Sequence, residues 1–99
     1  MILPKGLNEI LTEIQQSGGS TFTELKSKVR ISSSTLQKRL RESTKANLIE
    51  SKSITDENGK PRTKYIITPN GKKFISDYKM LEDNIKKFKG EYNIFKGYR

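Results

Sequence analysis

The spacing of hydrophobic residues predicts two short helices at the start of the chain. The first follows from an i, i+3, i+4, i+7 pattern made by Leu7, Ile10, Leu11 and Ile14. Ser17-Gly18-Gly19-Ser20 ends it, because glycine readily adopts the left-handed conformation found at helix ends. A very short strand is predicted at Thr21-Phe22. Thr23 is then expected to cap a second helix, with Leu25 and Val29 on its inner side.

A third helix is predicted to run to about Ala46, with Ser32 or Ser33 as its N-cap. At about 100° per residue, its inner side is formed by Leu36, Leu40 and Ser43. Asn47 tolerates positive φ better than most residues, so we expect the helix to end there.

A β-hairpin and a fourth helix follow. Asn58-Gly59 separates two strand-like runs, and this pair favours a type I′ turn, in which both central residues have positive φ. The second run ends in Tyr65-Ile66-Ile67-Thr68. Thr68 is expected to cap the fourth helix, and Pro69 takes its first position, where a missing N–H costs nothing.

The order helix, helix, helix, strand, strand, helix predicts an α+β fold, the winged helix-turn-helix, with the hairpin as its wing. We expect a DNA-binding domain over residues 1–71. Residues 72–99 would form a carboxy-terminal helix, used for dimerisation, and a tail.

Composition narrows the classes of function. The 99 residues include 20 Lys and Arg against 11 Asp and Glu, a net charge of +9, which favours nucleic acid and, second, an anionic membrane surface as partner. There is no Cys and no His, so disulfides, zinc fingers and the usual imidazole catalysts are excluded. We therefore expect no enzyme activity, no metal and no cofactor. No signal peptide or membrane helix is indicated, and a cytoplasmic, nucleoid-associated protein is expected.

The third helix carries the strongest candidate site. Its basic residues are segregated on the side away from Leu36 and Leu40, a face that fits the major groove, where Arg, Lys and Gln reach base edges. The first turn also offers backbone N–H groups and hydroxyls to a phosphate. Over a recognition helix of about residues 33–46, the candidate DNA-binding residues are Ser33, Ser34, Thr35, Gln37, Lys38, Arg41 and Lys45.

The wing supplies a second group of cations. Lys60 and Arg62 lie at or beside its predicted tip, about residues 56–63, and Lys64 lies just behind. They would contact phosphates or the minor groove. Asp56 and Glu57 would be repelled by phosphate, so we expect only the descending side of the wing to contact DNA.

The fourth helix has a heptad pattern of large hydrophobic residues. The spacing alternates between four and three for about two heptads, as in a coiled coil, and predicts a homodimer interface formed by Phe74, Tyr78, Leu81, Ile85 and Phe88. The alternative is that this stripe packs entirely on its own domain. A dimer would bring two recognition helices to successive major grooves.

Four segments together carry a family resemblance: Phe22-Thr23-Glu24-Leu25, Ile31-Ser32-Ser33-Ser34-Thr35-Leu36, Leu48-Ile49 and Tyr65-Ile66-Ile67-Thr68-Pro69-Asn70-Gly71-Lys72, the last being similar to a Tyr-x-Leu-Thr-x-x-Gly pattern. With these segments the chain resembles winged-helix transcriptional regulators of the MarR and PadR kind, over residues 7 to about 75. It implies groove-facing positions at Ser34, Thr35, Gln37, Lys38 and Arg41, and wing positions at Lys60 and Arg62. Asn47 stands where the family usually has Gly, and Ser43 where Leu usually closes the core.

The chain is also similar to small archaeal winged-helix proteins, cellular and viral, that dimerise through a long carboxy-terminal helix. The expected function is sequence-specific binding of double-stranded DNA by a homodimeric transcriptional regulator, with no small-molecule ligand indicated. Three alternatives stay open at this point: an architectural protein that coats duplex DNA, a winged-helix protein–protein interaction module, and an RNA-binding protein.

Overall fold

Four helices and a three-stranded antiparallel sheet form the structure, a computed structural model that describes residues 3–92, with side chains through residue 88. The predicted end of the carboxy-terminal tail, residues 93–99, lies outside the described residues. The elements, in chain order, are α1 (Leu7–Ser17), β1 (Ser20–Thr21), α2 (Phe22–Lys28), α3 (Ser33–Lys45), β2 (Ile49–Thr55), β3 (Pro61–Ile67) and α4 (Pro69–Tyr92). This order and sheet confirm the predicted winged-helix fold.

The sheet has β3 at its centre, between β1 and β2. The hairpin register runs from Ile49 opposite Ile67 to Thr55 opposite Pro61. On the other edge Ser20 lies opposite Tyr65, so the short β1 fixes the start of α2 against the middle of the hairpin. The sheet therefore fixes the position of α2 relative to the wing.

The core lies where the inner faces of α1, α2 and α3 meet the first residue of β2. Its buried hydrophobic residues are Leu7, Ile10, Leu11, Ile14, Leu25, Val29, Leu36, Leu40 and Ile49. The predicted inner face of α3 is confirmed, including Ser43, which is 1% exposed. The Ser43 hydroxyl has no hydrogen-bond partner among the described residues.

The start of α2 differs from the prediction by two residues. Thr21, and not Thr23, is the N-cap: its hydroxyl accepts from the Glu24 N–H at 3.3 Å, and the Glu24 carboxylate accepts from the Thr21 N–H at 2.8 Å. This reciprocal capping box satisfies two N–H groups that a helix start leaves free, which explains why it prevails over a cap at Thr23. The Thr21 N–H, then its hydroxyl, lower the pKa of Glu24, and the nearby Lys64 charge acts in the same direction.

Both ends of α3 agree with the prediction. Of the two candidate caps, Ser32 is the one used, and its hydroxyl accepts from the Thr35 N–H at 3.2 Å. Asn47 has φ of 59° and is the one non-glycine residue with positive φ in the described part of the chain. The chain therefore leaves α3 in a left-handed turn and enters β2 directly.

The wing turn is not the predicted type I′ turn. Gly59 has φ of 78°, but Asn58 does not have positive φ. The Gly59 N–H donates to the Asp56 carbonyl at 3.0 Å, and the Asp56 N–H donates to the Lys60 carbonyl at 2.9 Å, as in a three-residue loop with a glycine bulge. The Asp56 carboxylate explains the difference, because it accepts from the N–H groups of Asn58 and Lys60, each at 2.9 Å.

The fourth helix begins as predicted, at Pro69 after a Thr68 cap. The Thr68 hydroxyl donates to the Asn47 carbonyl at 2.6 Å and accepts from the Gly71 N–H at 3.0 Å, so it joins the end of α3 to the start of α4. Phe74 and Ile75, in the first turns of α4, pack against the core. At about 1.5 Å per residue, the 24-residue helix is long enough to extend well past that core.

Candidate nucleic-acid interface

The outer face of α3 is the most accessible part of the predicted site. Six of its seven predicted residues are exposed: Ser33, Ser34, Gln37, Lys38, Arg41 and Lys45. Thr35 is half-buried, and its hydroxyl accepts from the Ser32 hydroxyl at 2.9 Å within the cap. Thr35 therefore belongs to the start of the helix rather than to its outer face.

Three cations on this face have no side-chain partner among the described residues. The side chains of Lys38, Arg41 and Lys45 make no hydrogen bond or salt bridge with any residue that the structure describes. Arg39, the remaining cation of α3, is turned aside: its Nε donates to the Lys5 carbonyl at 2.9 Å, and its Nη1 lies 2.9 Å from the Glu42 carboxylate. The outer face of α3 thus presents uncompensated positive charge.

At the wing, Asp56 and Arg62 form an ion pair that sequence reasoning missed. The Arg62 Nε lies 3.0 Å from the Asp56 carboxylate, across the hairpin. The pKa of Asp56 is lowered, first by the Lys60 N–H and then by the Arg62 guanidinium. Asp56 therefore organises the turn and holds Arg62 along the wing, while Lys60 is exposed at the tip.

The third wing residue, Lys64, lies farther from the tip. It is half-buried at the centre of the sheet, opposite Lys52 on β2 and Thr21 on β1. Side chains alternate along a strand, so Lys64 and Arg62 share one face of β3, and Tyr65 lies on the other. Of the three predicted wing cations, Lys60 and Arg62 are thus near the tip and Lys64 is beside the start of α2.

A cleft of about 370 Å³ separates α3 from the hairpin. Gln37, Arg41 and Lys45 line its helix side, while Ser51 and Thr63 line its hairpin side. The half-buried rings of Phe22 and Tyr65 also line it. The sequence does not predict that these two rings lie close together, because they meet only through the pairing of β1 with β3.

The predicted dimerisation stripe on α4 divides into two parts. Phe74 packs against the core and Tyr78 is half-buried beside α1. Leu81, Ile85 and Phe88 lie farther along the helix and are 37%, 39% and 44% exposed. The distal part of α4 therefore presents large hydrophobic side chains to solvent.

Within the described residues, no cluster of three or more acidic, His or Cys side chains could hold a metal ion. The described helices also include none with the length and apolar character needed to span a membrane.

Comparison with known proteins agrees with this geometry. Structures with the same fold include a putative transcriptional regulator of the MarR family from Enterococcus faecalis, with 24% identity, a TM-score of 0.75 and coverage of 90% of this chain and 79% of that one. A PadR-like regulator from Bacillus cereus has 22% identity, a TM-score of 0.75 and coverage of 93% and 92%. A putative MarR-family regulator from Porphyromonas gingivalis has 28% identity, a TM-score of 0.66 and coverage of 89% and 80%.

Curated protein sequences give no match. A family model described as a winged helix DNA-binding domain matches residues 9–85, which include all of α2, α3 and the wing. The match spans most of the chain, and the protein therefore belongs to the winged helix DNA-binding domain family.

Proposed function

We propose that this protein is a sequence-specific, double-stranded DNA-binding transcriptional regulator that acts as a homodimer. The observation that carries the proposal is the outer face of α3, where Lys38, Arg41 and Lys45 are exposed and have no ion-pair partner among the described residues. Unpaired cations on a rigid helix beside a β-hairpin suit a polyanionic duplex.

In this proposal α3 enters the major groove, which is wide enough to admit a helix. Arg41 would donate two hydrogen bonds to a guanine, and Gln37 could read an adenine. Ser33 and Ser34, in the first turn, would contact phosphates and set the depth of the helix. Lys38 and Lys45 flank Arg41 along the same face and would bind the phosphate backbone.

The wing would hold the adjacent backbone. Lys60 is exposed and makes no salt bridge with a described residue, so it can meet a phosphate directly. Arg62 pairs with Asp56 through Nε alone, and a guanidinium has further N–H donors that stay available for a phosphate or the minor groove. Lys64 would add long-range attraction from the base of the wing.

The homodimer would form through the distal part of α4. Leu81, Ile85 and Phe88 follow the heptad spacing and are more than a third exposed, as expected for a stripe that is covered by a second copy. We therefore propose a DNA-binding domain over residues 1–71 and a dimerisation segment over residues 72–99. Two copies of α3 would then meet successive major grooves, about 34 Å apart. Such a protein would act in the cytoplasm, in association with the nucleoid.

A titration against a pool of random genomic duplexes tests this function. Binding would be followed by fluorescence anisotropy at two salt concentrations, and the retained fraction would be sequenced. Enrichment of a pseudo-palindromic motif with half-sites about one helical turn apart is the expected result. Salt-steep binding without enrichment would instead indicate an architectural protein, and no duplex binding would indicate a protein or RNA partner.

A further inference from the structure

A second basic surface lies beside α3, away from the wing. It is a depression between the segment that precedes α1 and the turn from α2 to α3, lined by Lys5, Gly6, Glu9, Lys28, Val29, Arg30 and Ile31. Three of these residues are cations and one is an acid. We call the three cations, Lys5, Lys28 and Arg30, the basic flank.

The position of the basic flank follows from the two sides of α3. Gln37 and Thr44 line the cleft that faces the hairpin. Arg39 lies about 160° from Gln37 around the helix, at about 100° per residue. Its Nε donates to the Lys5 carbonyl at 2.9 Å, so the segment carrying Lys5 borders the other side of α3. The outer face of the helix therefore lies between the wing and the basic flank.

Two other cations fix the main chain of this surface. Arg39 holds the Lys5 carbonyl, and the Lys26 Nζ donates to the Ile31 carbonyl at 3.0 Å. Gly6 packs closely on Ile31, because a β-carbon built there would lie 3.1 Å from the Ile31 side chain. The turn and the segment before α1 are thus held together.

The cations of the basic flank are left available. The side chains of Lys5, Lys28 and Arg30 are exposed, and their charged groups make no hydrogen bond or salt bridge with any residue in the described part of the chain. Glu9 is the one acidic side chain lining the depression, so positive charge is in excess. This chemistry suits a phosphodiester.

We propose that the basic flank is a second phosphate-binding surface, which holds the backbone on the side of α3 opposite the wing. The inference rests on the proposed function, because a helix in the major groove has a phosphate backbone on each side of it. The wing would hold one backbone and the basic flank the other. Contacts on both sides fix the register of α3 on the duplex without reading sequence.

Chemical protection in the unaltered protein is the first test. Lysine acetylation would be mapped by mass spectrometry, with and without a short mixed-sequence duplex. Lys5 and Lys28 are expected to be protected by the duplex, as is Lys38 on α3. Lys72 and Lys79, on α4, serve as internal controls and are expected to stay reactive. Full reactivity of Lys5 and Lys28, with Lys38 protected, would overturn the inference and leave the proposed function intact.

Charge removal is the second test. The triple variant Lys5→Gln, Lys28→Gln, Arg30→Gln is compared with Lys72→Gln, Lys79→Gln, Lys86→Gln, which makes the same change in net charge on α4. The slope of log binding constant against log salt is expected to fall by about 2 to 3 units for the first variant, since each phosphate contact contributes about 0.9.

The control variant should keep a slope near that of the wild type. Equal slopes in the two variants would contradict a phosphate-binding role for the basic flank. Failure of the wild-type protein to bind any duplex would instead overturn the proposed function and this inference with it.

Discussion

Gly71 lies so close to the carbonyl oxygen of Leu48 that a side chain at this position would collide with it. A β-carbon built there would also lie 2.6 Å from the Ile67 side chain. Because Gly71 has none, α4 can begin directly against the junction of α3 with β2. The Thr68-Pro69-Asn70-Gly71 segment is therefore a packing element, in which the threonine caps the helix and the glycine permits its close approach.

Gly71→Ala is expected to destabilise the protein. The added methyl group must displace main-chain atoms of Leu48, and overpacking of this kind costs about 1–3 kcal/mol or more. Urea unfolding followed by circular dichroism measures the change, with Lys72→Ala, at an exposed position of the same helix, as control. Equal stability of the two variants would contradict the close packing of α4 on Leu48 and Ile67.

Substitution at the start of α2 distinguishes the two candidate caps. Thr21→Ala removes the hydroxyl that accepts from the Glu24 N–H, and loss of such a cap costs about 1 kcal/mol. Thr23→Ala, two residues later at an exposed position, should change the free energy of unfolding little. The reverse order of effects would show that the cap is at Thr23.

Ser43→Ala is expected to be neutral or stabilising. The hydroxyl is buried without a partner among the described residues, and a buried polar group in that state costs about 1–3 kcal/mol. Alanine keeps the helix and removes this penalty. Thermal unfolding would detect the gain, with Ser76→Ala at an exposed site of α4 as control. A clear loss of stability in Ser43→Ala would mean that the hydroxyl is bonded.

Two substitutions separate base reading from phosphate binding. Arg41→Ala should reduce the preference for an enriched duplex over a mixed-sequence one by about 1–3 kcal/mol, if the side chain is bidentate to guanine. Lys60→Ala, at the tip of the wing, should weaken both duplexes alike and lower the salt slope by about one unit. Equal losses on both duplexes for Arg41→Ala would remove it from the base-reading face.

The distal stripe of α4 can be tested for dimerisation without altering the core. Leu81→Glu is expected to shift the protein towards monomer, because a charge would be buried in the helix pair. Met80→Glu is the matched control, since Met80 is 61% exposed and lies about 100° from Leu81 around the helix. Analytical ultracentrifugation measures the change, and an identical mass distribution for both variants would argue against an interface at Leu81.

Much of the fold follows from local signals in the sequence. Hydrophobic periodicity predicts α1 and α3. The positive φ of Asn47 and the Thr68 cap are also predictable, because both depend on residues only a few positions away in the sequence. The prediction of a type I′ wing turn is wrong, because Asn58-Gly59 does not determine the turn alone: the Asp56 carboxylate accepts from two N–H groups of the turn.

Features that depend on distant residues could not be predicted. The cleft with Phe22 and Tyr65 requires β1 to pair with β3, and β1 is only two residues long. Helical periodicity alone does not predict that Arg39 donates a hydrogen bond to the Lys5 carbonyl, 34 positions away. The basic flank was missed for the same reason, because its cations come from two segments that meet only in the folded protein.

Substitution of the DNA tests whether α3 reads bases in the major groove. A duplex enriched from the random pool would be made again with 7-deazapurines, which lack the N7 acceptor of the major groove and leave the minor groove and phosphates unchanged. The affinity is predicted to fall to that of a mixed-sequence duplex at the same salt concentration. An unchanged affinity would show that recognition does not depend on the major groove and would exclude α3 as the base-reading helix.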